Sequence, residues 1–119
     1  MNERFTVEAT ETAPGEARIR LHGDVDIDAD RALAGAYEHG TENGATRIVL
    51  DFAEVGYINS TGIALIVRLL AEARRDRRAV IAVGLSEHYR EIFRLTRLSD
   101  YVTIVEAAPT PAEVEVVPQ

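Results

Sequence analysis

The chain has 119 residues, 46% of them hydrophobic, and a formal net charge of −7. This length suits one domain with a single core. No apolar run approaches the ~18 residues of a membrane span, and no secretory signal is visible. We therefore expect a cytoplasmic protein. The absence of cysteine excludes disulfides and thiolate chemistry, and the acidic charge argues against a general nucleic-acid binder.

An antiparallel hairpin is expected first. Residues 5–9 and 17–21 alternate apolar and polar side chains, as strands with one buried face do, and residues 13–16, Ala-Pro-Gly-Glu, are typical of a turn. In the second strand the alternation places Ile19 and Leu21 on one side and the arginines of the run on the other.

A helix is expected next, over residues 29–43, which are good helix formers. Asp28 or Asp30 is expected to cap its start, and residues 43–44, Asn-Gly, to end it. The side chains expected to face the core are Leu33, Ala36 and Tyr37.

The centre of the chain combines a strand, a polar turn and a helix. Residues 48–50 form an apolar, β-branched run typical of a buried strand, and residues 63–73 are rich in Leu, Ile and Ala. Residues 59–62, Asn-Ser-Thr-Gly, lie between them. The helix positions at i, i+3, i+4 and i+7, which predict the buried face, are Ile63, Ile66, Val67 and Leu70.

The last third predicts a buried strand over residues 79–83, a helix over residues 86–95 capped by Ser86, and a short strand over residues 101–105. The order of elements is then β-β-α-β-α-β-α-β. Strands that alternate with helices favour an α/β fold with a mostly parallel sheet, mixed here because of the N-terminal hairpin.

A single domain with three main helices is expected over residues 1–106. Residues 107–119 contain Pro, Ala, Val and Glu, and we expect them to form a flexible acidic C-terminal tail.

The polar turn carries the main chemical signal. If Asn59 is the N-cap of the following helix, the first-turn N–H groups of Ser60, Thr61 and Gly62 have no partner within the helix. A phosphate on Ser60 would lie at the positive end of that helix, where the fold tolerates it. It would also add nearly two negative charges to any partner face packed there, which predicts a binary switch.

Metal binding and nucleophilic catalysis fit the residues poorly. Aspartates alternate through residues 24–30, but Ala29 and Gly35 stand where an EF-hand calcium loop needs glycine and glutamate. Ile58 stands where a nucleophile elbow around Ser60 needs its first glycine, and no histidine has a reason to reach that hydroxyl. We therefore expect no metal, no cofactor and no catalytic residue.

Two short motifs resemble those of the STAS-domain anti-anti-sigma factors, also called anti-sigma factor antagonists. That family has a G-[DE]-[LVI]-D turn after its second strand and a D-S-[ST]-G turn that opens its second helix. Residues 23–26, Gly-Asp-Val-Asp, match the first motif completely, and residues 60–62 match the second. Asn59 replaces the usual aspartate, which removes a carboxylate and keeps the capping oxygen. The resemblance covers residues 5–105.

The resemblance implies a binding protein and not an enzyme. Unphosphorylated, such a protein binds an anti-sigma factor, typically a serine kinase of the histidine-kinase-like ATPase fold, and so releases the sigma factor. The kinase would phosphorylate Ser60, with Thr61 as the second choice, and a PP2C-type phosphatase would remove the phosphate. The implied partner-binding residues are Asp24, Asp26, Asn59, Ser60, Thr61 and Gly62.

Two alternatives stay open. STAS domains also work in sensory assemblies and with lipid-transport ATPases, some of them without phosphorylation, so a non-phosphorylated subunit of such a complex is the first. A small phosphoester-processing enzyme is the second, and it would need a metal or a competent base. Neither direct nucleic-acid binding nor a membrane partner is expected.

Overall fold

A computed structural model of the chain describes residues 3–105, so the predicted tail at residues 107–119 lies outside the described residues. The strands are Thr6–Ala13 (β1), Glu16–Val25 (β2), Arg47–Ile58 (β3), Ala79–Val83 (β4) and Thr103–Ile104 (β5). The α-helices are Asp30–Gly40 (α1), Ser60–Arg75 (α2) and Glu87–Leu95 (α3). Short 3-10 helices cover Ile27–Ala29 and Leu98–Asp100.

The five strands form one sheet in the order β1-β2-β3-β4-β5. β1 and β2 are antiparallel, and the remaining neighbours are parallel, which confirms the predicted α/β class and element order. β3 is much longer than the predicted run at residues 48–50. Polar residues from Asp51 onward interrupt the apolar run, but they continue to pair with β2, with register shifts around His22 and Gly23.

One face of the sheet packs against the helices, and the other carries charge. Ile19 and Leu21 of β2 are buried against the helices, as predicted, together with Leu33, Ala36 and Tyr37 of α1. On the opposite face Arg18 Nη2 lies 2.9 Å from Asp51 Oδ2. The alternation of β2 therefore separates an apolar side from a charged one, as a strand with one covered face requires.

The third helix closes the same core. The rings of Phe52 and Phe93 meet edge to face with centroids 6.0 Å apart, a preferred geometry for aromatic pairs. Ser86 caps α3 as predicted, with its hydroxyl accepting a hydrogen bond from Tyr89 N at 3.2 Å. β4 has the predicted bounds, whereas β5 is shorter than the predicted strand.

The predicted ends of α1 are wrong. The chain first forms the 3-10 helix, where Asp26 Oδ1 accepts from Asp28 N at 3.0 Å, and no side chain caps α1 itself. At the other end α1 stops at Gly40, before the predicted Asn-Gly, and the buried Thr41 hydroxyl donates to Tyr37 O at 2.7 Å. Asp28 and Asp30 are therefore not the caps, because the chain enters the helix through a tighter turn that begins at Asp26.

The buried face of α2 is rotated from the predicted one. Val67 is 42% exposed, whereas Leu65 and Leu69, which lie outside the predicted face, are buried. Ile66 and Leu70 are buried as predicted, and Ile63 is half-buried. Nearly every position here is apolar, so spacing alone permits both faces.

Candidate functional site

The predicted turn forms between β3 and α2. Asn59 has an extended backbone and is the N-cap, and its Oδ1 accepts a hydrogen bond from Gly62 N at 2.8 Å. The first helical hydrogen bond runs from Ile63 N to Asn59 O at 2.9 Å. The helix itself supplies no acceptor to the N–H groups of Ser60 and Thr61.

Both hydroxyl residues of the turn face solvent. Ser60 and Thr61 are exposed, while Asn59 is half-buried and Gly62 is buried. The hydroxyl predicted as the acceptor therefore has open surface around it, at the end of the helix where the peptide dipoles favour negative charge.

Strand pairing brings the two motifs together. Val25 and Ile58 are register partners at the ends of β2 and β3, which are parallel, and Asn59 N donates to Val25 O at 3.2 Å. Because parallel strands end at the same edge of a sheet, the Gly-Asp-Val-Asp motif lies directly beside the Asn-Ser-Thr-Gly turn.

Gly62 is the point of closest approach between the motifs. A Cβ at this position would lie 2.0 Å from Val25 O and 3.0 Å from Ile58 Cγ2. No side chain fits there, so glycine allows the first turn of α2 to lie against the end of β2. This contact also sets the rotation of α2, since Gly62 must face the strand and the residues below it on the same face become the buried ones.

The two motif aspartates are half-buried and already hydrogen-bonded. Asp24 Oδ2 accepts from Glu3 N at 3.2 Å, and Asp24 N donates to Glu3 O at 3.0 Å. Asp26 caps the 3-10 helix, as described above. Gly23 allows the backbone at Glu3 and Arg4 to lie against this loop, because a Cβ at position 23 would lie 2.3 Å from Arg4 O. The aspartates thus shape the loop beside the turn.

Two exposed apolar side chains flank the turn, and the sequence did not predict them as site residues. Ile27 is 60% exposed and follows Asp26, while Tyr57 is 57% exposed and pairs with Asp24. Exposed apolar groups beside a polar centre are common features of protein-binding surfaces. The sequence contains one signal for the exposure of Ile27, since this residue lies between two aspartates at the start of a helix.

A buried tyrosine supports the turn from below. Tyr89 of α3 is 9% exposed, and its hydroxyl accepts a hydrogen bond from Ile58 N at 2.8 Å. This bond satisfies a buried backbone group at the last residue of β3. Local sequence patterns do not predict this bond, because Tyr89 lies 31 positions after Ile58 in the chain.

The two side chains with shifted pKa values, Tyr37 and Glu16, lie away from the turn. Burial, followed by the hydrogen bond to Asp76, raises the pKa of Tyr37 in α1. Hydrogen bonds from Thr12 and Arg47 lower the pKa of Glu16, at the opposite end of β2.

Within residues 3–105, no three His, Asp or Glu side chains group closely enough to hold a metal ion. None of the helices described is long and apolar enough to cross a membrane.

Comparison with known sequences assigns the family. The family model described as "Mlab, STAS domain" matches residues 8–106, so the chain belongs to the STAS domain family. It is similar to the anti-sigma-B factor antagonist of Listeria monocytogenes, with 25% identity over 100 residues that cover 84% of this chain and 88% of that protein.

Solved structures share the fold. The anti-sigma factor antagonist SpoIIAA in its unphosphorylated form has a TM-score of 0.69 at 20% identity, covering 93% of this chain and 97% of that one. The Bacillus cell fate determinant SpoIIAA in the phosphorylated form has a TM-score of 0.67 at 20% identity, with 92% and 96% covered. An anti-sigma factor antagonist from Mycobacterium paratuberculosis has a TM-score of 0.67 at 18% identity, with 94% and 92% covered.

Proposed function

We propose that the chain is an anti-anti-sigma factor that regulates transcription from the cytoplasm. Unphosphorylated, it binds an anti-sigma factor, a serine kinase of the histidine-kinase-like ATPase fold, and thereby releases the sigma factor. The similar Listeria protein is named as an anti-sigma-B factor antagonist, which supports this role. The observation that carries the proposal is the exposed Ser60 hydroxyl at the N-terminus of α2, beside the Asp24–Asp26 loop.

Phosphorylation of Ser60 switches the binding off. The phosphate takes hydrogen bonds from first-turn N–H groups and lies at the positive end of α2, so the domain stays folded. The partner face meets nearly two added negative charges next to Asp24 and Asp26. Like charges brought together in an interface cost several kcal/mol, which is enough to release the partner. A PP2C-type phosphatase restores the binding state.

Binding measurements on charge variants test the switch. Ser60→Asp is expected to weaken binding to an anti-sigma kinase by about tenfold or more, corresponding to ~1.4 kcal/mol, whereas Ser60→Ala binds nearly as the parent does. Thr46→Asp is the matched control, because Thr46 is exposed just before β3, at the opposite edge of the sheet. Isothermal titration gives the affinities, and unchanged circular dichroism excludes unfolding. Equal affinity of Ser60→Ala and Ser60→Asp would contradict the switch.

Intact-mass analysis identifies the acceptor. After incubation with the kinase and ATP, the parent chain is expected to gain one phosphoryl group and to lose it again with a PP2C-type phosphatase. Ser60→Ala should abolish this gain, and Thr61→Ala should retain it. The reverse pattern would assign the phosphate to Thr61, which is also exposed.

The alternative is a non-phosphorylated STAS subunit of another complex, such as a sensory assembly or a lipid-transport ATPase. Asn59 favours it, since it lacks the carboxylate that the family motif has before the serine. In that case no phosphoryl group is gained, and Ser60→Asp acts only as a surface change. We infer a binding role in both cases, in preference to a phosphoester-processing enzyme.

A further inference from the structure

An apolar groove opens between the C-terminal half of α2 and the residues that lead into β5. It has a volume of about 590 Å³. Val67 and Tyr101, which are 42% and 50% exposed, form its walls, and it reaches down to Leu70 and Leu98, which belong to the core. Small-molecule sites are concave, mostly apolar and of this size, with a few polar groups that fix the orientation of the ligand.

The polar groups of the groove are two arginines. Arg74 and Arg75 line it, and no carboxylate does so among residues 3–105. Within the same part of the chain Arg74 forms no ion pair, and its guanidinium carbon lies 5.0 Å from the centre of the Tyr101 ring. Arg75 has a long ion-pair contact, 4.0 Å from Glu72. The groove therefore combines apolar walls with positive charge that no neighbouring carboxylate neutralises at short range.

A polar recess adjoins the groove at Arg74. This second cavity, of about 290 Å³, shares Arg74 with the groove and is also lined by the hydroxyl residues Ser99 and Thr103. The carboxylate that lines it, Asp100, is already paired with Arg97 at 2.9 Å. Arg74 thus lies where an apolar cavity meets a polar one, which is the arrangement that an amphipathic anion requires.

We propose that the groove binds a free medium-chain fatty carboxylate. The alkyl chain covers Val67, Ala71 and the ring of Tyr101, so that their exposed apolar surface is removed from water. The carboxylate accepts hydrogen bonds from the Arg74 guanidinium, whose planar set of N–H groups can bind both carboxylate oxygens at once. This pairing of an apolar and a charged contact selects an alkyl carboxylate over a neutral or a cationic ligand.

The length of the groove sets the length of the ligand. From Val67 to Arg74 the helix rises by about 10 Å. With C–C bonds of ~1.5 Å, an extended chain of about eight carbons has this length. Ser60 lies 14 positions before Arg74, about 21 Å away along α2, so the fatty carboxylate site is separate from the phosphorylation switch.

Titration of the full-length, isotope-labelled chain with sodium octanoate tests the proposal. We expect saturable shifts of the backbone amide signals of Val67 and Ala71, while the signals of Ser60 and of Arg20, on the opposite face of the sheet, do not move. Hexanoate, which is shorter by two methylenes, should bind about tenfold more weakly, since each buried methylene contributes a factor of about four. Octylamine has the same chain with a positive head group and should also bind at least about tenfold more weakly. No saturable shift at α2 with octanoate, or equal binding of octylamine, overturns the proposal.

Substitutions at the groove locate the site. Arg74→Gln removes the charge and should weaken octanoate binding about tenfold, whereas Arg31→Gln, at an exposed position on α1, leaves it unchanged. Ala71→Trp fills the groove from an exposed position and should abolish binding, while Ala32→Trp, exposed on α1, should not. Circular dichroism checks that each variant is folded. Equal effects within either matched pair would contradict the assignment to the groove.

A vesicle control distinguishes a free fatty acid from a membrane surface. We expect the octanoate shifts without co-sedimentation of the chain with vesicles of phosphatidylcholine and phosphatidylglycerol. Co-sedimentation that Arg74→Gln removes, together with no octanoate shift at Val67, would overturn the free carboxylate and assign the groove to a lipid surface instead.

Discussion

Gly62 lies where the first turn of α2 meets the end of β2, and this one residue sets the geometry of the site. We expect Gly62→Ala to destabilise the domain by about 1–3 kcal/mol, since its Cβ would lie 2.0 Å from Val25 O and the backbone of the turn must shift. Gly35→Ala is the matched control. Gly35 is also helical and has no atom within 4 Å of an added Cβ, so alanine should stabilise by about 0.5–1 kcal/mol.

Urea unfolding of both variants measures these changes. The opposite signs distinguish close packing at Gly62 from the general preference of helices for alanine. A Gly62→Ala variant as stable as the parent would show that α2 can move away from β2 without cost.

At the scale of elements, α3 holds the end of β3 through one hydrogen bond. We expect Tyr89→Phe to cost about 1–3 kcal/mol, because it leaves the buried N–H of Ile58 without its acceptor. Tyr57→Phe removes a hydroxyl from a side chain that is 57% exposed and should change stability by less than about 0.5 kcal/mol. Thermal unfolding compares the two, and equal losses would contradict the supporting role of Tyr89.

The buried face of a helix is harder to predict from the sequence than the helix itself. The 3.6-residue spacing identifies α2 as a helix, but its run of Leu, Ile and Ala offers several possible faces. Contact with β2 at Gly62 selects Leu65 and Leu69 for the core and leaves Val67 exposed. α3 shows the contrary case, since Ser86 at its start is a specific local signal and is confirmed as the cap.

Across the whole molecule, a polar network ties α1 and α2 to the loops that precede β3 and β4. The Tyr37 hydroxyl donates to Asp76 Oδ2 at 2.7 Å and accepts from Arg78 Nη1 at 3.1 Å, and Arg78 Nε donates to Ala45 O at 2.7 Å. Burial and Asp76 raise the pKa of Tyr37. The folded state therefore keeps the hydroxyl proton at pH values where the unfolded chain has lost it.

This linkage predicts a dependence on alkaline pH. Unfolding releases the Tyr37 proton above about pH 10, so the contribution of the hydroxyl to stability is complete below that pH and is lost as the pH rises through the folded-state pKa. We expect Tyr37→Phe to cost about 1 kcal/mol at about pH 8 and less at about pH 11. Urea midpoints at the two pH values check this, with Tyr57→Phe as the control. A cost that does not change with pH would contradict the linkage.

The sequence by itself determined the order of strands and helices, the alternation of β2, and the cap at Asn59, because each depends on side chains a few positions apart. Only the tertiary structure decided which face of α2 is buried and that Tyr89 supports Ile58, whereas the family resemblance already implied that Asp24 and Asp26 lie beside Ser60. These contacts join residues that are distant along the chain. They depend on how β2 and β3 pair and on how closely the backbones of α2 and β2 approach at Gly62. The spacing of residues along the chain predicts neither of these.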